Sequence, residues 1–478
     1  MKRFGLFFLA GALAAAGCNS SNNVGPPPPT LAPLHSIQHV VVLLQENRSF
    51  NNLFMGFPGA DTATTGKCKP AKWCPKSGVV PIKSVTLEST NQFALGTDIS
   101  HSHGAFEVEC DPNASNVCQM DGFDLITFGQ ALYGPPAKLY PYKAVERSET
   151  KAYWDFASRY AIADNMFFTA TASSFIAHQQ IISGTTRLNA NESLTDQPDA
   201  TPWGCDAPPS TATAIIKTNG HVNEFGGPFP CFTQYKTMAD LLDVRKVSWK
   251  FYVSTINGDF SGSVWNGFDA IAKVRCASFT PPQSCHGEGT DWKSHMSYPN
   301  SSVFTDLRKG TLPAVSWVIP KLADSDHPAS GCNHGPHWIT SVVNAIGQSK
   351  YWNDTAIVLA WDDWGGWYDN VPPPQTNYTS LGFRVPMVVI SPWVKPHTVG
   401  HTQYDFGSIL KFIEQTFDLG SLGTSDAHAH SISDMFDLSQ PPNAFVKEPL
   451  PSERNCGSGS GASPNMEQII DHDNGVPE

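Results

Sequence analysis

Two short apolar runs, each ending in a cluster of acidic and amide residues, constrain this chain more than any other feature. Ile37 to Leu44 leads into Gln45-Glu46-Asn47-Arg48-Ser49-Phe50, and Ala356 to Ala360 leads into Trp361-Asp362-Asp363-Trp364-Gly365-Gly366. Runs of this length, rich in β-branched residues, read as buried strands of a parallel sheet. Open α/β sheets bind ligands at the carboxyl ends of their strands. Two distant strand ends therefore predict one crevice that receives Glu46, Asn47, Asp362 and Asp363. Adjacent carboxylates repel each other, so holding them ionised favours a bound cation. Taken alone, Asp-Asp-x-Gly-Gly is equally well a polar turn whose glycines supply positive φ. The wider pattern decides.

Other apolar runs end beside suggestive residues in the same way. Tyr160 to Ala163 precedes Asp164-Asn165 and then Ser174, and Ala314 to Ile319 precedes Asp326-His327-Pro328. Val385 to Ile390 stops at Ser391-Pro392. Between the runs lie helical patterns, the plainest being Phe406, Ile409, Leu410, Ile413 and Phe417 at i, i+3, i+4, i+7 spacing. Strands alternating with helices predict an α/β fold with a doubly wound, mostly parallel sheet flanked by helices. The Pro-, Gly- and Cys-rich stretches 56–118 and 189–295 read as long insertions capping the strand ends.

The chain has 478 residues, 40% hydrophobic and only 15% charged, which suits a globular protein rather than a disordered one. A net charge of -12 argues against nucleic acid as partner. It leaves phosphate esters open, because a bound metal reverses the local sign. Lys2 and Arg3 precede an apolar stretch too short to span a bilayer, so 1–17 reads as a signal peptide. Ala15-Ala16-Gly17-Cys18 resembles a lipobox, with Cys18 as the lipid-bearing first mature residue; ordinary cleavage in the alanine run is the alternative. Residues 18–34 form an anchor and Pro-rich tether, 35–455 a single catalytic domain and 456–478 a polar tail. The expectation is an exported protein facing the periplasm or cell surface, touching the membrane through Cys18, with no obligate protein partner. Of the 11 cysteines, ten remain after Cys18. Cys68/Cys74, Cys110/Cys118, Cys205/Cys231 and Cys276/Cys285 are sequence neighbours, leaving Cys332 and Cys456, and local loop staples are preferred over a zinc site at Cys68 and Cys74.

Ser174 is the nucleophile candidate. It opens Ser174-Phe-Ile-Ala-His178, where a helix start offers free amides to a phosphate and His178 lies one turn along the same face. The plainer reading of Ser174 is a helix N-cap.

Together these residues resemble the bacterial phosphoesterase family, which holds acid phosphatases and non-specific phospholipases C within the alkaline phosphatase-like superfamily. The resemblance rests on Val41 to Phe50, Met120-Asp-Gly-Phe123, Asp326-His327-Pro328, Tyr351 to Asp369, Phe383 to Pro392 and the helix through Asp405, Ser408 and Glu414. It implies that Glu46, Asn47, Asp362 and Asp363 hold one divalent metal ion (calcium, magnesium, manganese or zinc). It gives Ser174 the nucleophile position and likens His101 and His327 to histidines that contact phosphate or serve the leaving group. His103, His178 and His286 are weaker matches, each as well read as a loop or supporting histidine. Serine at 174, where the phospholipase branch commonly has threonine, leans toward the phosphatases, and Asn370 replaces a histidine of many relatives. His428 and His430, in Asp426-Ala-His428-Ala-His430, read as a solvated loop. The expected activity is hydrolysis of phosphate esters by a metal-dependent acid phosphatase through a phosphoserine. A phospholipase C is the alternative, and a non-catalytic binding lipoprotein a lesser one.

Overall fold

Val40, Val41, Val42, Leu43 and Leu44 are all essentially inaccessible to solvent. Successive side chains of a strand point to opposite faces, so burial without alternation means that both faces of the sheet are covered. The same holds for Thr355–Trp361, every residue of which is buried. In this computed structural model the described residues are 1, 34, 36–70, 72–87, 98–129, 134–255, 262, 264–281, 284–328, 330, 333–374 and 381–453. Residues 2–33, which include Cys18, and Cys332, Cys456 and the polar tail lie outside them.

Eight strands form the central sheet: β1 His39–Gln45, β2 Ala161–Ala163, β3 Trp249–Tyr252, β4 Met296–Ser297, β5 Val315–Val318, β6 Thr355–Trp361, β7 Met387–Ile390 and β8 Thr398–Gly400. Their spatial order is β4-β3-β5-β1-β6-β7-β2-β8. All run parallel to β1 except β7, which is antiparallel to both β6 and β2. The mostly parallel α/β sheet is thus present, with one reversed strand that apolar patterning could not reveal. Register sets Gln45 opposite Trp361, so Glu46 and Asp362 leave the sheet side by side. Helices alternate with the strands, among them Ser174–Ser183, Gly335–Gly347 and Phe406–Thr416.

The insertions add small ribbons, including Thr65–Lys67 with Val79–Pro81 and Cys276–Thr280 with Ser284–Glu288. Four disulfides staple them: Cys68–Cys74, Cys110–Cys118, Cys205–Cys231 and Cys276–Cys285. This is the neighbour pairing expected from the sequence, and it removes Cys68 and Cys74 as thiolate ligands for zinc.

Candidate functional site

Four strand ends supply the site. β1 delivers Glu46 and Asn47, β6 delivers Asp362 and Asp363, β5 leads to Asp326-His327, and β2 leads through Thr169–Ala172 to Ser174. The two acidic segments are laced together by their backbones. Asp362 N–H donates to Gln45 O at 3.0 Å and Arg48 N–H to Asp363 O at 2.9 Å. Asn47 N–H donates to Asp362 Oδ1 at 2.8 Å. This folding-back puts Asn47 at φ 56, a left-handed conformation that asparagine tolerates better than most residues. Gly365 packs against it: a Cβ there would meet Asn47 O at 2.4 Å, so the glycine is required by close approach.

Ser174 is the first helical residue, and by position the N-cap is Ser173. The alternative reading of Ser174 as the cap gives way: its hydroxyl donates to Asp363 Oδ2 at 3.0 Å and, more weakly, to Asn47 Oδ1 at 3.4 Å. One turn on, His178 Nε2 lies 3.1 Å from Glu46 Oε1 with both side chains fully buried. Burial lowers the His178 pKa to about 4, and burial together with Asp362 and Asp363 pushes the Glu46 carboxyl well above its usual range. Both shifts disfavour the charged forms of the pair.

A cation reverses that balance, and the donor set fits one. Glu46, His178 and Asp362 each offer a ligand atom within 4.8 Å of the others. Glu46 Oε2, Asp362 Oδ2 and His178 Nδ1 are buried without a hydrogen-bond partner among the described residues. Buried carboxylate oxygens left this way are costly unless a charge compensates them.

The histidines separate by geometry. His101 Nδ1 sits 2.7 Å from Ile99 O, and a carbonyl only accepts, so the proton is on Nδ1. In the neutral ring Nε2 then accepts from Asn47 Nδ2 at 3.0 Å, which orients the amide toward Ser174. His327 donates through Nδ1 to Pro328 O, and its ring lies 6.4 Å from that of His101 and 5.9 Å from that of Trp265. His103 braces the loop before Ser174 through Thr171 O at 2.9 Å. His286 lies exposed on the Ser284–Glu288 hairpin and has no contact with these groups. His428 and His430 are exposed, but His428 ends a short helix, Ser425–His428, where a loop was expected. They line a cavity of about 970 Å³ whose walls include none of Glu46, Asn47, Ser174, Asp362 and Asp363.

Sequence reasoning missed two supports. Glu109, fully buried, accepts from Trp364 Nε1 at 2.7 Å behind the Asp362-Asp363 turn. Arg48 donates twice to Asp326 O, at 2.9 and 2.7 Å, while Tyr153 and Trp361 donate to the Asp326 carboxyl. Burial raises that carboxyl to about 6 against the opposing pull of Arg48. The pair locks the His327 segment to the ends of β1 and β6.

The sequence profile of the phosphoesterase family matches residues 37–420, which span every strand and site segment just described. The chain belongs to the phosphoesterase family. Its curated relatives include phospholipase C B of Mycobacterium tuberculosis, 26% identical over 451 residues and covering 86% of this chain and 79% of that one. Phospholipase C A of the same organism is 25% identical over 483 residues, covering 91% and 83%. Non-hemolytic phospholipase C of Pseudomonas aeruginosa is 23% identical, with 87% of this chain set against 59% of the relative. Among solved structures, a protein in the alkaline phosphatase superfamily from Vibrio parahaemolyticus overlaps 60% of this chain and 65% of its own, at 11% identity and a TM-score of 0.34. This phosphoesterase is a hydrolase acting on phosphoric ester bonds.

Proposed function

We propose that this phosphoesterase cleaves its substrate with Ser174 as nucleophile. The observation that carries the reading is the Ser174 hydroxyl, at a helix start and 3.0 Å from Asp363 Oδ2, which can take its proton. A divalent cation held by Glu46, His178 and Asp362, with Asn47 and Asp363 beside them, would lower the pKa of the serine hydroxyl and offset charge on the phosphoryl oxygens. Ser174 Oγ attacks phosphorus as its proton passes toward Asp363, and the bond to the leaving oxygen breaks. The start of the Ser174–Ser183 helix would favour the negative oxygens through its dipole. Asn47, steered by His101, is placed to donate to the same oxygens. His327, whose Nδ1 donates to Pro328 O, is the candidate to protonate the leaving group. Water then hydrolyses the phosphoserine.

For substrate we put phospholipase C-type cleavage of a phospholipid diester first. The support is the set of relatives named phospholipase C that align over most of both chains. A broad phosphomonoesterase, favoured by serine at 174, is the second reading. Release of p-nitrophenol from p-nitrophenyl phosphorylcholine and from p-nitrophenyl phosphate, before and after chelation, tests both. Preference for the choline diester supports the first reading, and preference for the monoester replaces it with the second. No chelator-sensitive turnover of either would sink the metal-dependent mechanism.

We also propose export with lipid attachment at Cys18. Four disulfides support an oxidising compartment. Mass spectrometry of the mature N-terminus tests it, and an unprocessed Met1 would refute it.

A further inference from the structure

In a chain of net charge -12, the stretch between Asp61 and Glu88 carries Lys67, Lys69, Lys72, Lys76 and Lys83 and no acidic residue. The fold gathers these lysines onto one insertion and adds more. Lys83 stands opposite Lys143 in a parallel ribbon, two like charges in register. Lys72 and Lys138 approach the ring of half-buried Trp73, each ammonium 4.6 Å from the centroid. Lys69 is compensated, pairing with Asp111 beside Asp121. Glu146 follows Lys143 but is offset by exposed Arg147.

The surface is not purely ionic. In the Thr65–Lys67 and Val79–Pro81 ribbon, Lys67 lies opposite Val79, and both point outward while Gly66 and Val80 are buried. Val79 is 44% exposed. Lys69 N–H donates to Asp121 O, which sets the Cys110–Cys118 loop alongside, with Val117 and Leu125 also exposed. Lysines interleaved with tryptophan and exposed aliphatic side chains suit a lipid headgroup layer, where charge meets phosphate and apolar groups reach the acyl boundary.

This face also borders the catalytic groups. Lys67 N–H donates to the Tyr368 hydroxyl, and Tyr368 O accepts from Ser49 Oγ. The ribbon is thereby tied to both segments that carry Glu46-Asn47 and Asp362-Asp363. We propose that the basic, tryptophan-bearing face of this first insertion docks the enzyme on an anionic phospholipid surface. Docking and substrate choice are separate questions, since a monoesterase could be held at a membrane by the same face.

The test is cosedimentation of the unacylated full-length chain with vesicles of phosphatidylcholine alone or with about 30% phosphatidylglycerol. We expect binding to anionic vesicles about tenfold or more above neutral ones, largely lost in about 0.5 M salt. Lys72→Gln/Lys76→Gln/Lys83→Gln/Lys138→Gln should lower anionic-vesicle binding about tenfold or more, and Val79→Asp should weaken it several-fold. Both variants should keep the wild-type melting temperature and turnover of a soluble p-nitrophenyl ester. Equal binding to both vesicle types, or an unaffected quadruple variant, would overturn the proposal. So would single-stranded DNA binding as tightly as vesicles with Val79→Asp inert, since that would mark a general polyanion surface.

Discussion

Ser174 differs from a capping serine in what its hydroxyl does: it donates to Asp363 and Asn47 rather than serving the helix end. Its removal should therefore cost chemistry and spare the fold. Ser174→Ala is expected to lower kcat by about 10³-fold or more while shifting the melting temperature little, as read by p-nitrophenyl ester turnover and calorimetry. Near-normal turnover would transfer the nucleophile role to water. His178 makes a different prediction, since its ring touches Glu46 and not Ser174. His178→Gln should weaken the metal about 10- to 100-fold, seen in a metal titration of turnover, and excess metal should restore most of the rate. Glu46, Asp362 and Asp363 were legible as a cluster because two strand ends display them as contiguous motifs. His178 could be suspected only from its one-turn spacing after Ser174. Glu109 and Arg48 could not, because their importance comes from burial against Trp364 and Asp326, partners hundreds of positions away.

At the scale of elements, the helix Phe406–Thr416 was plain from its periodicity, but its acidic N-cap has a consequence that periodicity does not carry. Asp405 accepts from Ser408 N–H at 3.1 Å. Burial nonetheless lifts its carboxyl to about 7 and Asp426 pushes the same way, while the Ser408 and Gly407 amides oppose them. A carboxyl whose folded pKa exceeds its unfolded value binds its proton more tightly when folded. Its contribution to stability is thus complete below about pH 4 and is lost as pH rises through 7, at up to about 1.4 kcal/mol per pH unit. Asp405→Asn keeps a capping oxygen and removes the titration. Its melting temperature relative to wild type should therefore rise between about pH 4 and pH 7, the two ends of that window. A constant difference would mean that the helix dipole keeps the carboxylate ionised throughout. Strands were as legible as this helix wherever burial on both faces left an unbroken apolar run. The direction of β7 and the small ribbons of the insertions were not, because tertiary pairing and disulfides fix them rather than local pattern.

For the whole molecule, the sheet brings Glu46, Asp362 and Asp363 together fully buried, with Glu109 close behind. Burial is the main cause that holds the Glu46 and Glu109 carboxyls well above their usual range. Folding such a cluster is unfavourable unless its charge is neutralised, by protons or by a cation. The fold and the metal should therefore be thermodynamically linked, beyond any effect on turnover. Saturating metal at about 100 times its Kd stabilises the native state by about 2.7 kcal/mol. Chelation should accordingly lower the melting temperature, and adding back calcium, magnesium, manganese or zinc singly should restore it in order of affinity. The pH dependence separates the two neutralisers. Protons substitute for the cation only where the carboxyls can take them up, so the chelator-induced drop should be small in acid and grow toward neutral pH as Glu46 must ionise. Ser174→Ala should show the same drop, because it keeps the carboxylates. Asp362→Asn should show a reduced one, because it removes a charge that the cation offsets. A melting temperature indifferent to chelation at neutral pH would mean that these carboxyls fold protonated, and that the site is assembled for something other than a cation.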